Sequence, residues 1–255
     1  MWMSVIALGV GLLGSGGLRY DEAAQRWVTP VSVNGGAPRD FAVDTGASLS
    51  MVSAAGVDAM GLAVAAPGGM RMATARSLDL AGVELAGEQM AVLAAGHEDA
   101  RGQALGARTF RGRRLELDFA GGRLRFAEGS QTVAGMTPVA ARMVSGLAVI
   151  PVVVDGVEAL ALVDTSGRPS TVNPALARRL AAGDAGERAT VGGVTVAGRR
   201  IDGVELKVES PAHYRALGLA DQPAMTLGAD LLSRFGRIAI DYPASEVEIA
   251  AAPTP

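Results

Sequence analysis

The sequence predicts a mostly β protein that is built from two similar halves. The first observation is an octapeptide, FAVDTGAS at 41–48, that returns as ALVDTSGR at 161–168. The second is that further blocks recur in the same order at nearly the same offset, which indicates a duplicated domain. The third is that short apolar runs alternate with turn signals containing Gly, Asn and Asp. With 255 residues, 49% hydrophobic and 19% charged, the chain is long enough to bury a substantial core.

The composition excludes several kinds of function. A net charge of −3 gives no reason to expect nucleic-acid binding. The chain has no cysteine, which excludes disulfides, thiolate metal sites and a cysteine nucleophile. His97 and His213 are the only histidines, so we expect neither a metal centre nor a cofactor.

The N-terminal residues 1–18 are apolar and end in small residues, which is typical of a secretory signal with cleavage near Gly14–Gly17. This predicts a secreted or periplasmic protein. The alternatives are a short membrane anchor over residues 5–18 and a buried first strand. Residues 9–14 also have the spacing of a dinucleotide-binding loop, but the strand–helix alternation that such a fold requires is missing.

In the first half, a β-rich run at 31–33 enters the pair Asn34-Gly35, which is a strong hairpin signal. The return strand, residues 40–43, delivers Asp44. A short helix is expected over Ala54–Met60.

The second half repeats this plan. Residues 152–154 enter Asp155-Gly156, and the return strand at 158–163 delivers Asp164, 120 positions after the first aspartate. A helix is expected over Pro174–Ala182, with Asn173 as its N-terminal cap.

The two halves also end alike. Each has a Leu-Gly-Ala block, at 105–107 and 227–229, followed by a strand that reaches Asp118 or Asp241. We interpret these two later aspartates as ordinary turn-flanking residues. A short helix is predicted at 230–235. These blocks place the N-terminal lobe at 27–128 and the C-terminal lobe at 146–251, with a Gly- and Ser-rich linker at about 128–145.

Two aspartates at the ends of apolar strands, one in each half, are what an acid/base pair needs. Like charges a few ångströms apart cannot both ionise, so such a pair holds one proton and titrates as a unit. The ionised member can take a proton from water while the other protonates a carbonyl oxygen. An isolated Asp-Thr-Gly is more often a plain turn, but the duplication favours a site that contains Asp44 and Asp164.

These motifs resemble those of the pepsin and retropepsin class of aspartic proteases. The segment at 227–242 looks like the bacterial retropepsin-like branch of that class. The resemblance implies the acid-protease fold, in which two β-barrel lobes with short helices flank an active-site cleft. It implies an aspartic-type endopeptidase that acts on peptides as a monomer, with Asp44 and Asp164 as catalytic residues.

The resemblance also implies roles for the residues that follow the two aspartates. Thr45 and Thr165 would form hydrogen bonds across the junction of the lobes. Gly46 lets a backbone N–H approach the carboxylate, and Ser48 would hydrogen-bond the outer oxygen of Asp44. Paired glycines at 68–69 and 192–193 are candidate flap elements.

The second motif departs from the family pattern. Ser166 stands at the position of the glycine, and Gly167 follows it. Arg168 replaces the short hydroxyl residue that corresponds to Ser48; it either shifts the protonation of the pair or points to solvent. The alternative function is therefore a catalytically inactive, protease-like fold that binds peptides or a partner protein.

Overall fold

The computed structural model describes residues 13–94, 102–130, 133–167, 169–181 and 187–250. The chain is mostly β, as predicted. The strands before the middle of the chain are β1 (Leu13–Gly17), β2 (Arg19–Asp21), β3 (Arg26–Val33), β4 (Arg39–Asp44), β5 (Ser50–Val52), β6 (Ala63–Ala65), β7 (Met72–Leu80), β8 (Val83–Val92), β9 (Ala104–Gly106), β10 (Arg113–Asp118) and β11 (Arg123–Glu128). Those that follow are β12 (Met136–Ala140), β13 (Arg142–Val144), β14 (Leu147–Val154), β15 (Val157–Val163), β16 (Thr171–Val172), β17 (Arg188–Val196), β18 (Arg199–Val208), β19 (Ala224–Leu227), β20 (Arg237–Asp241) and β21 (Glu246–Ala250).

The helices are short: α1 (Ala54–Met60), α2 (Pro174–Leu180), α3 (Pro211–Arg215) and α4 (Ala229–Leu232), with 3₁₀ turns at Pro67–Gly69, Ala107–Phe110 and Ser233–Phe235. Asn173 caps α2 as expected, since its side chain accepts a hydrogen bond from Leu176 N at 2.8 Å. No described helix has the length and apolar character needed to cross a membrane.

Each half closes into a six-stranded barrel. In the first, the order is β3-β4-β9-β5-β8-β7, and β3 pairs with β7 to close it. In the second, the order is β14-β15-β19-β16-β18-β17, and β14 pairs with β17. The two-lobed fold predicted from the duplicated blocks is therefore confirmed.

The predicted hairpin turns hold corresponding places in the two barrels. Asn34 and Asp155 adopt positive φ angles of 52° and 43°, respectively, and each residue is followed by a glycine. Their side chains accept hydrogen bonds from the backbone of a later strand: Arg76 N binds Asn34 at 2.8 Å, and Gly192 N binds Asp155 at 2.7 Å. Each turn thus also joins the two strands that close its barrel.

A third sheet joins the lobes, and its order is β1-β11-β10-β20-β21-β12. Strands β10 and β20, one from each half, pair antiparallel at its centre. Arg114 on β10 is buried and hydrogen-bonds Glu248 on β21 at 2.9 Å. The segment predicted as a linker contributes β12 at the edge of this sheet, the position at which a strand tolerates Pro138.

The N-terminal segment that is predicted as a signal or anchor is structured where it is described. Residues 1–12 lie outside the described residues, whereas β1 pairs with β11 from Leu13 to Gly17. Leu18 is 3% exposed and belongs to the main core. The small residues serve packing here, because a Cβ at Gly14 would lie 2.5 Å from Ala81 O.

We therefore expect a chain that begins at Leu13 to be more stable than one that begins at Arg19. The shorter chain loses β1 and the burial of Leu18, and burying a leucine contributes about 1.5–3 kcal/mol. Urea denaturation of the two truncated proteins measures this difference. Equal unfolding midpoints would show that β1 contributes nothing to stability.

Candidate active site

The first aspartate loop, residues 44–49, is positioned by two neighbouring strands. β4 runs parallel to β9, so that Asp44 lies beside Gly106. A Cβ at Gly106 would lie 2.3 Å from the carbonyl carbon of Leu49. The glycine of the first Leu-Gly-Ala block is therefore needed for the loop to cross β9.

The second aspartate loop, residues 164–167, is held in the same way by the second barrel. β15 runs parallel to β19, and Asp164 N donates to Leu227 O at 3.1 Å. Asp164 is 3% exposed, whereas Asp44 is partly exposed.

Two serines that the sequence analysis did not assign anchor these loops. Ser50 Oγ accepts a hydrogen bond from Gly106 N at 3.1 Å, and Ser170 Oγ accepts one from Gly228 N at 2.9 Å. Ser170 also donates to Asp230 Oδ1 at 2.7 Å. Ser50 and Ser170 are 120 positions apart, the same offset as the two aspartates, and this offset is the signal that could have identified them.

Thr45 and Thr165 join the two loops through buried hydrogen bonds. Thr45 Oγ1 donates to Val163 O at 2.9 Å, and Thr165 Oγ1 donates to Val43 O at 2.6 Å. Each backbone N–H donates to the other threonine's Oγ1 at 3.2 Å. Both side chains are 0% exposed. The arrangement across the lobe junction is the one that the family resemblance implies.

Gly46 lies next to the carboxylates of both Asp44 and Asp164. Its N–H donates to Asp44 Oδ1 at 3.1 Å. A Cβ at this position would lie 2.4 Å from Asp164 Cγ and 2.6 Å from both of its carboxylate oxygens. Asp44 and Asp164 thus contact the same residue, and both line one cavity of about 520 Å³ between the lobes.

Ser166 occupies the corresponding place in the second loop. Its N–H donates to Asp164 Oδ1 at 2.8 Å, so a serine can make the bond that Gly46 makes to Asp44. Its hydroxyl oxygen is buried and has no hydrogen-bond partner in the described part of the chain. Ser166 lines the same cavity as the two aspartates. The two loops therefore differ in volume and polarity next to the carboxylates.

Arg26 is a further residue at this cavity that the sequence analysis missed. It lies at the start of β3 and packs on the second loop, since a Cβ at Gly167 would lie 2.7 Å from Arg26 Cβ. Burial lowers the pKa of Arg26, while the charges of Asp21 and Asp44 act in the opposite direction. Its position depends on contact between the lobes, which no local sequence pattern reports.

The remaining predicted residues lie in different places. Ser48 is partly exposed, and its carbonyl accepts from Arg108 N at 3.1 Å; its bond to Asp44 stays a prediction. Asp118 and Asp241 are turn residues as expected, because they accept hydrogen bonds from Gly121 N and Ala244 N, respectively.

The two glycine pairs differ in their setting. Gly68 and Gly69 are exposed at the tip of the β6–β7 hairpin, which suits a flap element. Gly192 and Gly193 lie within β17, where their N–H groups bind Asp155. The flap interpretation of that second pair is wrong, because it forms part of the barrel wall.

Arg168, for which two roles were considered, lies outside the described residues. Among the residues that the structure describes, no group of three or more His, Asp or Glu could hold a metal ion.

Comparison with known proteins supports the fold. No family model matches the chain, and no curated protein matches it in sequence. A solved structure, basic 7S globulin from soybean, is similar over 96% of both chains with a TM-score of 0.55 and 8% sequence identity. At this identity the similarity shows the fold alone. That fold is the two-lobed acid-protease fold.

Proposed function

We propose that the protein is an aspartic-type endopeptidase in which Asp44 and Asp164 activate a water molecule. The observation that carries the proposal is the contact of both carboxylates with Gly46 inside one interlobe cavity. Two like charges at short range repel each other, so a pair of carboxylates placed this way can share one proton.

In this mechanism, water between the two carboxylates loses a proton to the ionised aspartate and attacks the peptide carbonyl. The protonated aspartate donates its proton to the carbonyl oxygen, so that no covalent intermediate is needed. The N–H groups of Gly46 and Ser166 hold the two carboxylates in orientation, at 3.1 and 2.8 Å. The threonine pair keeps the loops from separating, which matters because misplacement by about 1 Å can cost ~100-fold in rate.

The proposal includes a peptide or protein substrate and no cofactor. Since each chain carries both aspartates, one monomer contains the whole site. The bacterial retropepsin-like branch remains our assignment on the strength of the segment at 227–242. We further propose a secreted or periplasmic location, or else membrane attachment through residues 5–18.

The second candidate function is peptide or partner binding without cleavage. It is favoured by Ser166, which adds a side chain where the first loop has a glycine, and whose buried hydroxyl lacks a partner. A binding protein of this kind would retain the cleft and the threonine bonds while losing the carboxylate geometry that catalysis needs.

Incubation of the purified full-length chain with a peptide mixture from pH 3 to pH 7.5, with mass-spectrometric detection, separates the two functions. We expect cleavage by the natural chain and a loss of about 10³-fold for Asp44→Asn, in line with the usual contribution of acid–base groups. Asp118→Asn is the matched control, because this carboxylate belongs to a turn outside the cavity. Peptide binding without cleavage at every pH would favour the inactive fold.

A further inference from the structure

A second cavity lies at the junction of the lobes and has a volume of about 760 Å³. The first half contributes Arg108 and Arg111 from the turn after β9, together with Ser48 of the first aspartate loop. The second half contributes Ser145, Tyr242 and Ser245. None of the described residues that line this cavity is acidic.

Two arginines give this cavity its positive charge. Arg108 and Arg111 are exposed, and neither forms an ion pair within the described ranges. The arginines that follow them behave differently: Arg114 and Arg125 both pair with Glu116. In a chain of net charge −3, an unneutralised arginine pair beside a concave surface is a site for negative charge.

Hydroxyl groups supply the remaining polar surface. Ser145 and Ser245 each line the cavity and carry a hydroxyl that can donate to an anion. The Tyr242 hydroxyl is buried and makes no hydrogen bond with any described residue. Because this oxygen is buried from solvent, a ligand in the cavity does not reach it, and Tyr242 forms part of the cavity wall.

We infer that this cavity binds a small anion that carries carboxylate or phosphate groups, held by Arg108 and Arg111. The planar guanidinium group donates two parallel hydrogen bonds to either kind of oxyanion, which gives both charge and geometric fit. The hydroxyls of Ser145 and Ser245 complete the set of donors. The site is separate from the catalytic cavity, although Ser48 belongs to the loop that carries Asp44.

Isothermal titration of the full-length chain in 150 mM NaCl tests the inference, with citrate as the carboxylate probe and inorganic pyrophosphate as the phosphate probe. We expect saturable 1:1 binding of at least one probe, and the tighter one identifies the group recognised. Replacing both arginines (R108Q/R111Q) should weaken binding by about tenfold or more, since hydrogen bonds to charged groups are the strong ones.

The matched control is R178Q/R179Q, which removes the same charge from the exposed face of α2 and should bind like the natural chain. Tyr242→Phe should leave binding unchanged and, by removing a buried hydroxyl that lacks a partner, raise the melting temperature. Asp44→Asn should bind the probe unchanged, which separates this site from the proposed hydrolysis. Failure of both probes to saturate, or an equal loss in R178Q/R179Q, would overturn the inference.

Discussion

Gly46→Ala is expected to reduce peptide cleavage by at least about 100-fold, because it displaces a carboxylate of the proposed catalytic pair. The new Cβ would lie 2.4 Å from Asp164 Cγ, which is far inside van der Waals contact. Asp164 has little room to move, since it is 3% exposed and its Oδ1 already accepts from Ser166 N. We also expect a loss of about 1–3 kcal/mol in stability, as for other overpacked sites.

The clash in Gly46→Ala is with Asp164 of the other lobe and not with Asp44, which belongs to the same loop as residue 46. In the second loop, Ser166 donates its N–H to Asp164 although it carries a side chain. An alanine at position 46 could therefore still donate to Asp44, and the clash with Asp164 is the new element. This adds a second reason to the one given from sequence, where the glycine was assigned to the approach of its N–H group to Asp44, which the structure shows at 3.1 Å.

Gly17→Ala is the matched control for this substitution. Gly17 ends the edge strand β1, and a Cβ there would meet no atom within 4 Å. Peptide cleavage and urea denaturation should therefore be near the natural values in the control. A Gly46→Ala protein that cleaves peptides at the natural rate would contradict the described packing of Asp164 on Gly46.

Thr165→Val is expected to destabilise the protein by about 2–5 kcal/mol, because it leaves two buried backbone groups without partners. Valine keeps the shape of threonine but cannot accept from Thr45 N or donate to Val43 O. Since these bonds join the two loops across the lobes, we also expect weaker peptide cleavage. Urea denaturation followed by circular dichroism measures the change in the free energy of unfolding.

Thr29→Val provides the control with the same chemical change. Thr29 is also 0% exposed, but its hydroxyl has no hydrogen-bond partner among the described residues. This variant should be as stable as the natural chain or slightly more so, because it removes a buried hydroxyl without a partner. Equal destabilisation by both substitutions would mean that the interlobe bonds add nothing beyond ordinary burial.

Local patterns predicted the parts of the fold that local chemistry determines. The Asn34-Gly35 and Asp155-Gly156 turns and helix α1 lie where the sequence indicates. The third sheet could be predicted only in part: the strands that reach Asp118 and Asp241 were expected and a buried first strand was one alternative, but the pairing of strands from both halves was not expected. Its strands β1 and β12 lie in segments rich in small residues and Pro, and they become strands only because distant partners complete their hydrogen bonding.

The residues of the candidate site also divide into those that the sequence pattern identifies and those that depend on contacts between distant segments. The duplicated Asp-Thr pairs identified Asp44, Asp164 and the two threonines, because repetition is visible in a single sequence. Arg26 was missed, since it reaches the cavity only when the lobes are packed together. The effect of Gly46 on the opposite aspartate was missed for the same reason: it is a contact between residues far apart in the chain.

The central claim is that Asp44 and Asp164 act as one catalytic unit. The most direct test is a double-mutant cycle on kcat/KM for peptide cleavage, with Asp44→Asn, Asp164→Asn and the double variant. Residues that act as a unit are strongly non-additive, so each single variant should lose about 10³-fold and the double variant should lose little more. Losses that multiply in the double variant, or a single variant that retains full activity, would contradict the claim.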